Sequence, residues 1–171
     1  MSVSETPSVG SGRAYEAARV RWAGQADAPR LTRLWNLARE QEDGRAGDDA
    51  PEDEVAMRDW LEHGGALLLE DEEGRPLCGA RWRWEGRGWR VDRIATLPEA
   101  RGQGFGRWLM TKLEALAIKR NVPTLALDLV GSELLPYYLR MGYRETASDT
   151  GRRTLVKTVG GTWQRQPGSA P

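Results

Sequence analysis

Apolar residues along the chain fall into short alternating or continuous runs and into four stretches with helical spacing, separated by glycine, proline and acidic turns. Arg19 to Trp22 suits a first strand. Asp27 is placed to cap a helix with Pro29 in its first turn, carrying Leu31, Leu34, Trp35 and Ala38 at the i, i+3, i+4, i+7 spacing of one buried face. Gln41 to Ala50 is acidic and glycine-containing, hence a loop. Pro51 opens a second helix through Val55, Met57, Trp60 and Leu61 that stops at Gly64 and Gly65. Three strands then follow in antiparallel succession: Ala66 to Glu70, Pro76 to Trp84, and Trp89 to Leu97, with Val91 out of phase with Arg90 and Asp92. A third helix carries Phe105, Trp108, Leu109, Leu113, Leu116 and Ile118. Thr124 to Val130 is apolar enough for an interior strand. Ser132 is placed to cap a last helix over Glu133 to Met141, and Tyr143 to Thr146 and Thr154 to Val159 complete the sheet. The order β-α-α-β-β-β-α-β-α-β-β predicts a mixed α/β layer structure.

Between the third of those strands and its helix lies a glycine-rich loop, RGQGFG, from Arg101 to Gly106. A loop of this kind running into a helix aims several backbone N–H groups and the positive end of the helix dipole at one point, which suits phosphate. Arg101 adds a guanidinium at the entrance. A lone glycine loop is common; a strand ahead of it and an amphipathic helix behind it make the pattern specific. The 171 residues bound a single domain spanning 17 to 160, with polar segments at 1 to 16 and 161 to 171 expected to be a disordered N-terminal segment and a tail. Charge balances, 25 basic against 25 acidic, so the whole-chain field argues for neither nucleic acid nor membrane. The single cysteine, Cys78, provides no disulfide framework and no metal cluster, and there is neither a signal peptide nor a run of transmembrane length, which together predict a cytoplasmic protein.

Two motifs carry a family resemblance. Arg101, Gly104 and Gly106 match a Q/R-x-x-G-x-G/A signature, and Tyr138, Gly142 and Tyr143 match a Y-x-x-x-G-F/Y close about thirty residues later, with a helix and a strand between them. In these residues and in element order, roughly residues 19 to 159 resemble the GNAT superfamily of acyl-CoA-dependent N-acetyltransferases. The resemblance implies an acetyl-CoA site in which the amides of Arg101, Gly102, Gln103, Gly104, Phe105 and Gly106, with Arg107 just beyond, hold the pyrophosphate. It also implies that the backbone of Ile94, Ala95 and Thr96 pairs with the pantetheine arm. No metal is implied. A primary amine of a small molecule or protein would attack the thioester directly, and Tyr138 would protonate the departing thiolate as general acid.

The sequence departs from the family at Gly131, where many members carry an asparagine that contacts the cofactor. The general base has no close match; Asp92 is the tentative candidate, with Asp128 and Glu85 behind it. His63, at a helix end beside two glycines, reads as a dipole-favoured residue. Trp82 and Trp84 share one strand face and either cover core or wall an acceptor pocket. The acidic stretch from Glu40 to Glu73 leans towards a cationic acceptor, and exposed strand edges make a homodimer an open arrangement. The alternative to an enzyme is a non-catalytic CoA-binding regulatory domain. A dinucleotide-binding fold is disfavoured by the antiparallel run before the loop.

Overall fold

The computed structural model describes residues 18–40 and 51–160; the expected N-terminal segment, the 41–50 loop and the C-terminal tail lie outside the described residues. Seven strands form one sheet: β1 (Arg19–Trp22), β2 (Gly65–Glu70), β3 (Pro76–Glu85), β4 (Gly88–Thr96), β5 (Thr124–Val130), β6 (Arg144–Asp149) and β7 (Arg152–Thr158). Their spatial order is β1-β2-β3-β4-β5-β7-β6. Every pairing is antiparallel except β4 with β5, which is parallel and has α3 (Phe105–Lys119) as its crossover. No helix among the described residues is long and apolar enough to cross a membrane.

Two apolar clusters sandwich the sheet. On one face α1 (Ala28–Glu40) and α2 (Glu54–His63) bury Leu31, Leu34, Trp35 and Met57 against Ala66, Leu68 and Ala95. On the other, α3 buries Phe105, Leu109, Met110 and Leu113 against Leu67, Leu69, Ala80 and Leu125, with Tyr138 and Tyr143 joining from the last helix, α4 (Leu135–Arg140), and the residues after it. Strand β2 therefore sends alternate side chains into both clusters, which is why its run of leucines shows no polar alternation. Gly79 lets α1 approach closely: a Cβ there would come within 2.9 Å of both Leu34 and Trp35.

Three helix starts differ from the sequence expectation, each for a local reason. Asp27 is not a simple N-cap: a 3-10 turn, Gln25–Asp27, leads into α1, and the Asp27 carboxylate accepts from the Gly24 N–H at 2.9 Å and from Arg21 at 2.6 Å. Helix α2 starts three residues after Pro51, capped by Asp53, because Asn36 of α1 grips both backbone groups of Glu52 at 3.0 Å and holds that residue outside the helix. Helix α4 begins at Leu135 without a side-chain cap, not after Ser132. The ring of Pro136 would meet the Ser132 carbonyl if the helix ran further back.

Candidate active site

The site begins where the sheet opens. Strands β4 and β5 pair only at Trp89/Leu125, Arg90/Ala126 and Val91/Leu127, yet β4 continues to Thr96 and β5 to Val130. Beyond Val91 the two strands part. The cause lies on the other side of β4: Trp82 faces Val91 and Arg81 faces Arg93, so Asp92 is an extra residue, a β-bulge. A bulge bends its strand and increases local twist, which carries Asp92 to Thr96 away from β5. Their backbone edge on that side bonds no neighbouring strand, so Ile94, Ala95 and Thr96 stand where a pantetheine arm could add to the sheet.

The end of β4 points to the glycine loop. A 3-10 turn, Pro98–Ala100, follows Leu97, and the chain then turns through Gly102 and Gly104 at φ 72° and 82°, values that favour glycine, before α3 starts at Phe105. Among the described residues, the N–H groups of Gly102, Gly104, Gly106 and Arg107 donate to no other part of the chain. Gly106 is different in kind from the other two glycines. It is helical, and a Cβ there would meet only the Thr96 hydroxyl at 3.6 Å, so the fold itself does not need glycine at this position. Gln103 braces the loop from its side-chain amide to the Glu99 carbonyl at 3.0 Å.

Arg101 is used differently from the expectation that its guanidinium meets phosphate. Its Nε donates to the Thr96 carbonyl at 3.2 Å and its Nη2 to the Ala38 carbonyl at 2.9 Å, tying the end of β4 to the last turn of α1. That carbonyl lies at the negative end of a helix, where a cation is favoured. Phe105 is buried in the core and anchors the start of α3.

The spacing of the second motif follows from helix closure. Gly142, at φ 89°, ends α4 with N–H to Leu139, and the Tyr143 N–H returns to the Tyr138 carbonyl at 3.1 Å. This folds Tyr143 back so that its ring meets the Tyr138 ring edge-on at 5.6 Å; Tyr137 meets Tyr138 likewise at 5.0 Å. The Tyr138 side chain is buried, and burial pushes its phenol well above the usual range. Burial thus favours the protonated form, the form a proton donor needs. Beneath β4, the Cys78 thiol, pushed up to about 11 by burial, shares a hydrogen bond with the Thr96 hydroxyl at 3.1 Å.

On the α1/α2 face, the opening continues into a cleft of about 510 Å³ whose lining includes Asp92, Asp128 and Glu52. Its organising residue is Arg81. This buried guanidinium lies 4.4 Å over the Trp60 ring, donates to Asp92 Oδ2 through Nε at 2.8 Å, and bonds both Glu52 oxygens at 3.1 Å. Asp92 is thus fixed at the apex of the opening, with Oδ1 outside the Arg81 contact. Asp128 accepts from Arg90 at 3.0 Å and from the Thr154 hydroxyl at 2.8 Å. Arg81 and Glu52 escaped sequence reading. The available signal was phase: Gly79, Arg81 and Arg83 alternate with Cys78, Ala80 and Trp82 on a strand covered on both faces, and a charge at a covered position needs a partner.

The remaining candidates fall elsewhere. Glu85 pairs with Arg90 outside the cleft lining. His63 is exposed, its Nδ1 3.0 Å from the Asp59 carbonyl. Trp82 is core, stacked on Trp89 at 5.0 Å, and half-exposed Trp84 meets Trp89 edge-on; neither walls the cleft. Among the described residues the acidic run is also dispersed: Glu70 is buried against Arg21 and Arg30, and Asp71 binds Arg75. These acids do not form one cation-binding surface.

Residues 62–145 match the family model of the acetyltransferase (GNAT) domain. No curated protein matches the sequence. Solved structures do match the fold. The ribosomal-protein-S18-alanine N-acetyltransferase from Escherichia coli superposes with TM-score 0.72 at 19% identity, over 86% of this chain and 97% of that one. YncA from Salmonella typhimurium, solved with its cofactor acetyl-CoA, gives 0.68 at 18%, over 90% and 97%. The PaiA N-acetyltransferase from Thermoplasma acidophilum, in complex with coenzyme A, gives 0.66 at 12%, over 83% and 99%. With the parted strands, the glycine loop and the tyrosine close all in one frame, residues 62–145 carry an acetyltransferase (GNAT) domain, on a fold shared with solved N-acetyltransferases.

Proposed function

We propose that this acetyltransferase moves acetyl from acetyl-CoA to a primary amine by direct attack within a ternary complex. The observation that carries this reading is the parting of β4 from β5 after Val91 and Leu127, followed at the end of β4 by a loop whose Gly102, Gly104, Gly106 and Arg107 N–H groups are unbonded. The loop amides hold the pyrophosphate and the open edge of Ile94, Ala95 and Thr96 holds the pantetheine. That directs the thioester towards the bulge, where a β4 N–H polarises its carbonyl. The amine enters from the cleft on the α1/α2 face. Asp92 takes its proton, and the attacking nitrogen forms the amide bond as the carbon–sulfur bond breaks. Tyr138 meets the departing sulfur as hydrogen-bond donor and general acid. Acetyl-CoA is a co-substrate in this scheme, and the protein acts in the cytoplasm.

The test is release of free CoA from acetyl-CoA by the purified chain, run against polyamines, amino acids, aminated antibiotics and peptides with free N-termini. Amine-dependent release supports the reading. CoA binding by calorimetry with no release across the whole panel would replace it with a non-catalytic CoA-binding domain.

A further inference from the structure

The charges lining the acceptor cleft are unequal in how they are engaged. Each carboxylate there already has partners. Glu52 takes Arg81 and, at 3.4 Å, Arg93; Asp92 takes Arg81; Asp128 takes Arg90, the Thr154 hydroxyl and, at 3.9 Å, Arg152. Asp53 accepts the N–H groups of Val55 and Ala56 at 2.8 and 2.9 Å as the cap of α2. Five arginines face these four acids around the cleft. Among the described residues, Arg83 makes no ion pair, and its guanidinium lies 5.9 Å from the centre of the Trp60 ring.

From this imbalance we propose that the acceptor is a small primary amine that also carries an anionic group, a carboxylate foremost, received by Arg83. The proposal rests on the acetyl-transfer reading of the site. A second cationic group on the acceptor would find Glu52, Asp92 and Asp128 already paired with arginines, Asp53 engaged as a helix cap, and Arg83 repelling it, whereas a carboxylate meets a planar guanidinium fork that no acid of the cleft uses. The register gives the span. Arg83 follows Arg81, the partner of Asp92, by two residues on β3, and it lies opposite Arg90 of β4. Two strand residues cover roughly 7 Å. The anionic group is therefore several bonds from the reacting nitrogen, as in an ω-amino acid, and not on the adjacent carbon. The cleft volume of about 510 Å³ is that of a small-molecule site.

A matched series tests this: 5-aminopentanoate, pentylamine and 1,5-diaminopentane share one skeleton and differ in the far group, and 4-aminobutyl phosphate separates carboxylate from phosphate recognition. With saturating acetyl-CoA, the expected kcat/KM for an anionic member exceeds that for pentylamine by about tenfold or more, with the diamine last. Arg83→Gln brings that ratio towards one, and Arg83→Glu moves the preference to the diamine. Pentylamine or the diamine matching the anionic members, or Arg83→Gln leaving the ratio intact, overturns the inference. If no amine of any charge releases CoA, the acetyl-transfer reading fails separately. The anion site is then read by thermal shift on the CoA-saturated protein: stabilisation by 5-aminopentanoate that Arg83→Gln removes supports it, and its absence overturns it.

Discussion

Gly106→Ala separates what the fold needs from what the cofactor needs. Gly106 lies in the first turn of α3 with helical backbone, and a methyl there would touch only the Thr96 hydroxyl at 3.6 Å, an ordinary contact. Alanine is favoured over glycine in a helix by up to ~1 kcal/mol, partly because it narrows the unfolded ensemble. Part of that gain applies at a first turn, about 0.5–1 kcal/mol, which for a domain of this size raises Tm by roughly 1–4 °C. The N–H groups of Gly104, Gly106 and Arg107 have no partner among the described residues, and where they hold a pyrophosphate, a methyl among them keeps a phosphate oxygen from hydrogen-bonding distance. Loss of one charge-assisted hydrogen bond weakens CoA binding by about 1.5–3 kcal/mol, tenfold or more. Thermal unfolding with and without CoA reads both signs in one experiment: the free protein melts higher and the CoA-induced shift shrinks. A free protein that melts lower, or a CoA shift equal to wild type, refutes the reasoning. Gly102 and Gly104, at positive φ, have no such stabilising substitution.

Tyr138→Phe lowers turnover while leaving CoA affinity within about twofold, measured by calorimetry beside initial rates; the phenol makes no hydrogen bond among the described residues, so little stability depends on it. Arg81→Leu leaves Glu52 and Asp92 facing each other without their shared cation and costs about 3–5 kcal/mol by urea unfolding; a loss below 1 kcal/mol contradicts the hub role. Acid unfolding depends on Asp27, whose carboxyl Arg21 holds down at about 2, against 3.8 ordinarily. A carboxylate with a depressed folded-state value stabilises above its unfolded value and loses that contribution as pH falls through the folded one. Asp27→Asn therefore flattens the fall in stability between pH 4 and pH 2, a change on the order of 2 kcal/mol; an unchanged slope there would show that the Arg21 pair carries no stability.

Elements whose apolar pattern is local were legible in the sequence. Strand β5 has the bounds its pattern predicts, Thr124–Val130, and the glycine loop sits between strand and helix as expected. The tyrosine close was legible for the same reason: its spacing is a helix end folding back on itself. What the sequence did not disclose depends on partners distant in the chain. Arg81 meets Glu52 across 29 residues, and Asn36 reaches Glu52 across 16. The bulge at Asp92 is a property of the β3/β4 register and leaves no mark in the composition of either strand. The described part of the acidic run does not form one surface, because residues adjacent in sequence are divided among separate faces by the turn after α2 and by β2.

The central claim is direct transfer between two substrates held together at the parted strands, and two-substrate initial-rate kinetics tests it most directly. Varying acetyl-CoA at several fixed concentrations of the best acceptor should give intersecting double-reciprocal lines, with no acetylated chain in mass spectra of enzyme and acetyl-CoA alone. Parallel lines with an acetyl-enzyme, or no amine-dependent CoA release at all, would contradict it.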